Sequence, residues 1–248
     1  MAKKLSYRTR RTIFALCGLI IFAIILLLNP NAYEYLSVMN GEVQKPENIP
    51  LKDETTPDST LAKDVLESLA VREKNTSEKY YRKLFYDSWG TTASGCNTRE
   101  AILTRDLTDI VLKGCKVQSG MLNDPYTGQT ISFIRGQDTS DAVQIDHVVA
   151  LSNAWSTGAY ALDADTRYEI SQDPLNLLAV DGPANQEKLD QDASTWLPSN
   201  QPFRCQYVAR QISVKAKYHL WVTPAEKSAM QTVLAACPNE PTVGLENP

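Results

Sequence analysis

Residues 144–155, QIDHVVALSNAW, place an aspartate and a histidine side by side at the end of an aliphatic run. The pair is Asp146 and His147, and the whole sequence contains two histidines. A neutral imidazole can accept a proton from water near neutral pH, and a carboxylate is a hard oxygen ligand for a divalent cation. The pair could therefore serve metal-assisted hydrolysis. The alternative is a buried core histidine beside a turn aspartate.

Further polar residues follow at spacings that suit the same site. Asn176 precedes the aliphatic stretch LLAV, and the stretch ANQEK places Asn185 and Lys188 one helical turn apart on the same face. Five chemically suitable side chains thus lie within one region of the chain. Their use together depends on the elements that position them.

The pattern of apolar and capping residues predicts those elements. Two strands are predicted, in AVQIDHVVAL and in PLNLLAV. The connection between them, SNAWSTGAYALDADTRYEI, is predicted to be mainly helical, and a short helix capped by Asp181 is predicted in DGPANQEKLDQD. Upstream, CNTREAILTRDL begins a helix capped by Asn97, and NDPYTGQTISFI gives a turn and a strand. Downstream, RCQYVARQISVKAKYHLW and TPAEKSAMQTVLAAC are two helices, the second capped by Thr223. The predicted fold class is α+β.

The predicted strand, long connection, strand and short helix of residues 145–190 resemble the ββα-metal site of the HNH endonuclease superfamily. DHVVAL, DPLNLLAV and ANQEK carry this resemblance. The wider pattern resembles exported HNH-family proteins common in actinobacteria, through GCNTREAILTRDL, DPYTG, DHVVALSNAW, DPLNLLAVDGPANQEKLDQDASTWLP and CQYVARQISVKAKYHL. It implies a mainly helical domain around a ββα-metal core. The connection between the strands is longer than in minimal HNH sites, so we expect an inserted helix there.

The resemblance implies metal-dependent hydrolysis of phosphodiester bonds. His147 is the expected base, and Asp146 and Asn185 are the expected ligands of Mg²⁺, which Mn²⁺ could replace. Asn176 is expected to brace the loop and orient His147, and Lys188 to contact phosphate. A turn asparagine and a solvated lysine are the ordinary alternatives for these two. An asparagine instead of a final histidine favours magnesium over zinc.

The same assignment makes a prediction about pH. Only the neutral imidazole of His147 accepts a proton, so we expect activity to rise with pH through the ordinary histidine pKa.

Contacts with nucleic acid outside the metal site are less well determined by the sequence. The net charge of −4 offers no general attraction to a polyanion. Arg210 and Lys217, two turns apart on one predicted helix, form the best local basic stripe for a DNA backbone, with a solvated helix face as the alternative. Structural ion pairs and substrate contacts are not separable for four upstream residues, Arg99, Arg105, Asp106 and Arg135.

The N-terminus carries a membrane signal. Residues 12–28, TIFALCGLIIFAIILLL, hold no charge and follow a basic stub. Their length reaches the lower limit of about 17 residues for a spanning helix, and the positive-inside rule puts the rest of the chain outside the membrane. We expect a signal anchor in residues 1–28, a linker with at most one short helix in 29–79, the HNH-like domain in 80–237 and a disordered tail in 238–248. Secretion after signal cleavage is the alternative.

Cysteine usage agrees with export. Cys96, Cys115, Cys205 and Cys237 follow the apolar run, and four cysteines in an oxidising compartment most simply form two disulfides. Three pairings are open, and we favour the two local ones, Cys96 with Cys115 and Cys205 with Cys237. A four-cysteine zinc site would need the CxxC-type spacing that these residues lack.

Two classes of function follow. The first is an extracytoplasmic Mg²⁺-dependent endonuclease that cleaves DNA, or alternatively RNA, with little sequence preference, because metal and phosphate recognition reads the backbone. The second is a catalytically inactive, disulfide-stabilised surface domain that binds a partner or a cell-wall polymer. The intact set of Asp146, His147, Asn176 and Asn185 argues for the enzyme. The expected partners are the nucleic acid and, through the N-terminal helix, the membrane; no protein partner is identifiable.

Overall fold

The computed structural model describes residues 60–137 and 139–244. The predicted membrane anchor and most of the predicted linker lie outside the described residues. Among the helices that are described, none is long and apolar enough to cross a membrane.

Helices and two small antiparallel sheets make up the described residues. The helices are α1 (Ala62–Ser68), α2 (Thr98–Asp106), α3 (Leu151–Ser156), α4 (Ala164–Gln172), α5 (Gly182–Lys188), α6 (Arg204–Lys217) and α7 (Pro224–Leu234). The strands are β1 (Leu107–Lys113), β2 (Lys116–Asn123), β3 (Thr130–Ile134), β4 (Val143–His147) and β5 (Leu177–Asp181). One sheet has the order β1-β2-β3 and the other pairs β4 with β5. The predicted α+β class is confirmed.

The strands β4 and β5 and the helix α5 form the predicted strand–strand–helix unit. The register pairs Asp146 with Leu178 and His147 with Leu177. Helix α5 begins directly after β5, where the Asp181 side chain accepts a hydrogen bond from the backbone N–H of Ala184 at 2.8 Å. Gly182 permits this close turn, because a Cβ there would lie 2.0 Å from the carbonyl oxygen of Asp141.

Both faces of the β4–β5 pair are buried, which fixes its position in the domain. Ile145, Leu177 and Ala179 pack into one apolar cluster with α2 and the three-stranded sheet. Leu178 and Val180 pack into another, with residues of α1, α6 and α7. Because successive strand residues point to opposite faces, burial on both sides holds the register tightly.

The three-stranded sheet contains two strands that the sequence analysis missed. Strand β1 is largely exposed and its pairing with β2 is irregular between Thr108 and Leu112. Such a strand lacks the regular alternation of apolar and polar residues on which strand prediction depends. The predicted strand in TISFI is confirmed as β3.

The ends of the described chain pack against the domain. Ala62 and Leu66 of α1 are buried in the core, and Leu61 forms a β-bridge with Pro241. The indole N–H of Trp155 donates to the carbonyl oxygen of Glu78 at 2.8 Å. The packed region thus includes residues 60–79, which the sequence analysis assigned to the linker, and residues near 241, which it assigned to a disordered tail.

Two disulfides tie local segments together. Cys96 pairs with Cys115 and Cys205 pairs with Cys237, with S–S distances of 2.06 and 2.07 Å. The two local pairings favoured among the three alternatives are confirmed.

Candidate active site

One cavity brings together three of the predicted site residues. Asp146, His147 and Asn185 line a space of about 520 Å³ at the end of β4 and along α5. The antiparallel pairing of β4 with β5 and the immediate start of α5 bring Asn185 next to the end of β4. The cavity is therefore a direct product of the ββα arrangement.

The imidazole of His147 is held in one orientation. Its Nε2 lies 3.0 Å from the carbonyl oxygen of Ser171, and the ring stacks on Trp89 with 6.0 Å between ring centroids and 9° between planes. A carbonyl oxygen only accepts hydrogen bonds, so Nε2 carries the proton and donates it. In the neutral ring Nδ1 is then the atom with a free lone pair, which is the state that a base requires.

Burial keeps this imidazole neutral. His147 is 6% exposed, and burial lowers its pKa to about 3 from an ordinary value of 6.5, with the positive charges of Arg82 and Lys188 acting in the same direction. The hydrogen bond to Ser171 opposes the shift. A ring with this pKa is neutral from pH 5 to 8, so the structure predicts no rise in activity through the ordinary histidine pKa, in place of the rise that the sequence predicts.

The carboxylate of Asp146 is occupied by protein groups. The Lys188 ammonium lies 3.0 Å from Oδ2 and 3.1 Å from Oδ1, and the Tyr126 hydroxyl donates to Oδ2. The backbone N–H of His147 also donates to this carboxylate. Burial raises the pKa of Asp146 above its ordinary value, although Lys188 and Tyr126 oppose the shift.

Lys188 occupies a different place from both sequence interpretations. Its side chain is fully buried, and its ammonium donates to Asp146 and to the carbonyl oxygen of His147 at 3.0 Å. It is neither a solvated lysine nor exposed enough to contact a phosphate. The reason is that α5 packs on β4 and directs this side chain beneath the cavity rather than into it.

The two predicted metal ligands, Asn185 and Asp146, offer side-chain oxygens to a metal ion, and Asp190 adds a further carboxylate to the cavity lining. The Asn185 Nδ2 donates to Oε1 of Gln144 at 2.8 Å, which leaves Asn185 Oδ1 as the acceptor of that amide. An all-oxygen donor set suits Mg²⁺. An ion that bound Asp146 directly would compete with the Lys188 ammonium for the carboxylate.

One other group of potential ligands occurs among the described residues. Cys205, Cys237 and Glu240 lie close enough to share an ion. Their disulfide removes the two thiolates, so this group offers no comparable metal site.

Asn176 lies behind the cavity and holds the loop that follows His147. It is fully buried; its Oδ1 accepts from the backbone N–H of Val149 at 2.8 Å, and its Nδ2 donates to the carbonyl oxygen of Val149 at 3.2 Å. Its own carbonyl oxygen accepts from Val148 at 2.8 Å. These contacts are with the loop backbone, so Asn176 has a structural position and does not line the cavity.

The predicted basic stripe is a pair of structural contacts. Arg210 is half-buried and its guanidinium donates to the carbonyl oxygen of Leu175 at 2.9 Å, while Lys217, whose side chain is 44% exposed, pairs with Asp173 at 2.7 Å. Neither residue lines the cavity. Both cations are engaged by the connection before β5, so a contact with a DNA backbone, which stays a prediction, would have to compete with Leu175 and Asp173 for them.

The upstream charged residues also make structural contacts. Arg105 pairs with Asp106 and donates to the carbonyl oxygen of Leu177 at 2.7 Å. Arg135 pairs with Glu100 at 2.7 Å. Arg99 donates weakly to the carbonyl oxygen of Val143 at 3.4 Å. The three arginines thus tie α2 or β3 to neighbouring elements. The carboxylate of Asp106 accepts a hydrogen bond from the backbone N–H of Ala179 in β5.

Two further residues near the site, Arg82 and Tyr126, were not predicted from the sequence. Arg82 is exposed and is the one cation among the residues that line the cavity. Its guanidinium donates to the Tyr86 hydroxyl and lies 5.1 Å from the centre of that ring. The signal for it was the interleaving of basic and aromatic residues in KYYRKLFY. Tyr126 belongs to DPYTG, where turn residues concealed a fully buried hydroxyl.

Comparisons with known proteins agree with the HNH-type resemblance. A sequence model of the C-terminal domain of the GmrSD restriction endonucleases, a family with an HNH-type nuclease domain, matches residues 72–233. A protein from Arthroderma benhamiae, described as an uncharacterized secreted protein, is 36% identical over 210 residues, which cover 83% of this chain and 99% of that relative. No solved structure matches the chain significantly.

Proposed function

The chain belongs to the family of the GmrSD restriction endonuclease C-terminal domain, and on that premise we propose that it is a metal-dependent endonuclease. The substrate is DNA, with RNA as the alternative, and cleavage has little sequence preference. The observation that carries this proposal is the geometry at His147: a neutral imidazole, fixed by Ser171 through Nε2, lines a cavity together with Asn185 and Arg82.

Each of these groups has a role in hydrolysis. His147 Nδ1 accepts the proton of the attacking water. The Arg82 guanidinium binds a phosphate oxygen, because its planar donors match phosphate geometry and it is exposed. Asn176 acts as a positioning residue, since it fixes the loop that follows the base.

Magnesium is the proposed cofactor, and Mn²⁺ could replace it. Asn185 and Asp146 would hold the ion, which would neutralise charge on the scissile phosphate and on the leaving oxygen. The Lys188 ammonium binds both carboxylate oxygens of Asp146 and would therefore compete with the ion for them. Weak metal affinity in the absence of substrate is the expected consequence.

We also propose that the domain acts outside the cytoplasm. Two disulfides are typical of oxidising compartments, and the relative from Arthroderma benhamiae is described as secreted. Membrane anchoring through residues 12–28 remains a proposal from the sequence.

Plasmid nicking tests the proposed reaction. The full chain should relax supercoiled DNA in Mg²⁺ and lose this activity in chelator. His147→Ala should abolish nicking, whereas His219→Ala, which changes the other histidine at an exposed position, should retain it. Nicking by His147→Ala at the parental rate would remove His147 as the base. A parent that cuts neither DNA nor RNA in Mg²⁺ or Mn²⁺ would favour the inactive binding domain.

A further inference from the structure

A second pocket adjoins the cavity that contains His147. It has a volume of about 280 Å³, and Tyr80, Ser152 and Asp190 line both spaces. A ligand in the cavity can therefore extend into this side pocket without leaving the surface of the protein. A nucleic-acid strand is long enough to occupy both.

The charge of the side pocket is unsuited to phosphate. Glu78 and Asp190 contribute carboxylates, and the nearby Lys74 ammonium is paired with Asp192 at 2.8 Å. A phosphate would meet like charge there, whereas an uncharged group would not. The adjoining cavity shares Asp190 with the side pocket, but there the exposed guanidinium of Arg82 supplies a cation that can bind a phosphate. The phosphate of a strand is thus expected in the cavity and an uncharged part of the same strand in the side pocket.

The polar groups of the side pocket match the edge of a nucleobase. Asn153 is 3% exposed, and none of the described residues accepts a hydrogen bond from its Nδ2. An unpaired buried amide donor is unfavourable unless a ligand satisfies it. Bases carry ring-nitrogen and carbonyl acceptors for such a donor, and most carry amino groups that can donate a hydrogen bond to a carboxylate such as Asp190. The Trp155 indole N–H is already used by Glu78, so Trp155 contributes an apolar wall.

We infer that the side pocket lined by Asn153, Trp155 and Asp190 binds an unpaired nucleobase of the strand whose phosphate lies beside His147. A base inside this pocket cannot remain paired in a duplex. The preferred substrate is therefore a single-stranded or locally unpaired nucleic acid. This inference rests on the proposed nuclease function and specifies its substrate.

Binding of abasic and intact oligonucleotides tests the inference. Fluorescence anisotropy of the full chain in chelator measures affinity without cleavage, using a fluorescein-labelled single strand, the same strand with abasic sites, and its duplex. The parent should bind the intact strand at least about five-fold more tightly than the abasic strand, the effect of a lost hydrogen bond or stacking contact. It should also bind the intact strand more tightly than the duplex.

Two substitutions then assign the effect to the side pocket. Asp190→Asn and Asn153→Leu should reduce the difference between intact and abasic strands to less than about two-fold. Glu187→Gln, an exposed carboxylate of α5 that lines neither space, is the matched control and should keep the parental difference. Because Asn153 Nδ2 has no acceptor among the described residues, we expect Asn153→Leu to unfold at a Tm no lower than the parent.

The outcomes separate this inference from the proposed function. Equal binding of intact and abasic strands by the parent, or an unchanged difference in both pocket variants, overturns the inference even if DNA is cut in Mg²⁺. Base-dependent binding that the pocket variants abolish, with no cleavage in any metal, supports the inference and overturns the nuclease. An RNA version of the strand shows which nucleic acid is bound more tightly.

Discussion

The buried ion pair between Asp146 and Lys188 should make a measurable contribution to stability. Lys188 is fully buried, Asp146 is 6% exposed, and their closest atoms are 3.0 Å apart. Removal of one partner from such a pair leaves an uncompensated charge in a poorly solvated place. Lys188→Met keeps the length of the side chain and removes its charge, so we expect it to lower the free energy of unfolding by about 3–5 kcal/mol at pH 8.

The pH dependence of this loss has a definite sign. Burial already raises the pKa of folded Asp146 above its ordinary value of 3.8. Without the ammonium the folded pKa rises further, while the unfolded value does not change. The folded variant therefore takes up a proton more readily as pH falls, and the destabilisation is complete only above the folded pKa. We expect the loss to be smaller at pH 5 than at pH 8.

Urea unfolding of four proteins measures the coupling. The parent, Asp146→Asn, Lys188→Met and the double variant form a double-mutant cycle at each pH. The double variant should lose less than the sum of the single variants, by about 2 kcal/mol or more at pH 8, because it contains no unpaired charge. Additive losses, or a loss below about 1 kcal/mol for Lys188→Met at both pH values, would refute the reasoning.

Four further predictions follow from described contacts. The pKa of His147 is about 3 in the folded protein and 6.5 in the unfolded chain, so between these pH values only the unfolded chain binds the proton. The free energy of unfolding of the parent should therefore fall by up to about 1.4 kcal/mol for each unit that the pH falls. Urea unfolding at pH 7.5 and 4.5 should show a smaller fall in His147→Gln. Because the same ring is neutral over this range, the initial rate of plasmid nicking should show no rise centred near pH 6.5. A rise of the rate near that pH, in a series from pH 5 to 8, would contradict the lowered pKa of His147. Arg82→Gln should raise KM for DNA about ten-fold through loss of a charge-assisted hydrogen bond, whereas the exposed neighbour Lys83→Gln, which lies outside the cavity lining, should change it little. Replacement of Cys205 and Cys237 by serine should lower the free energy of unfolding by about 2–4 kcal/mol in thermal or urea unfolding, and an unchanged midpoint would show that this disulfide does not constrain the unfolded chain.

The elements around the site were predictable because their local signals agree with their packing. The predicted caps are confirmed: the Asp181 side chain caps α5, and the Thr223 side chain caps α7. The strands β4 and β5 are short aliphatic runs that are buried on both faces, as their composition indicates. The missed strands β1 and β2 form a hairpin whose register is irregular, and Cys115 in its turn is tied to Cys96 by a disulfide. Because β1 is largely exposed, it lacks the alternation of apolar and polar residues by which a strand is predicted.

The contacts of charged residues were harder to predict for a physical reason. A lysine in a helix has the same sequence signature whether it is solvated or buried, and Lys188 is buried only because Asp146 faces it across the ββα unit. Arg210 and Lys217 have helical spacing typical of a basic surface, yet their charges are directed to Leu175 and Asp173. Burial likewise determines the pKa of His147, and burial depends on the whole fold.

The long connection between β4 and β5 sets a lower limit on the size of this domain. Its helix α4 includes Ser171, whose carbonyl oxygen accepts the Nε2 proton of His147. A shortened version that joined the two strands by a tight turn would retain Asp146, His147 and Asn185 but free the ring to rotate and to exchange its proton between nitrogens. Attempts to minimise the protein should therefore trim the ends first and keep residues 148–176 intact.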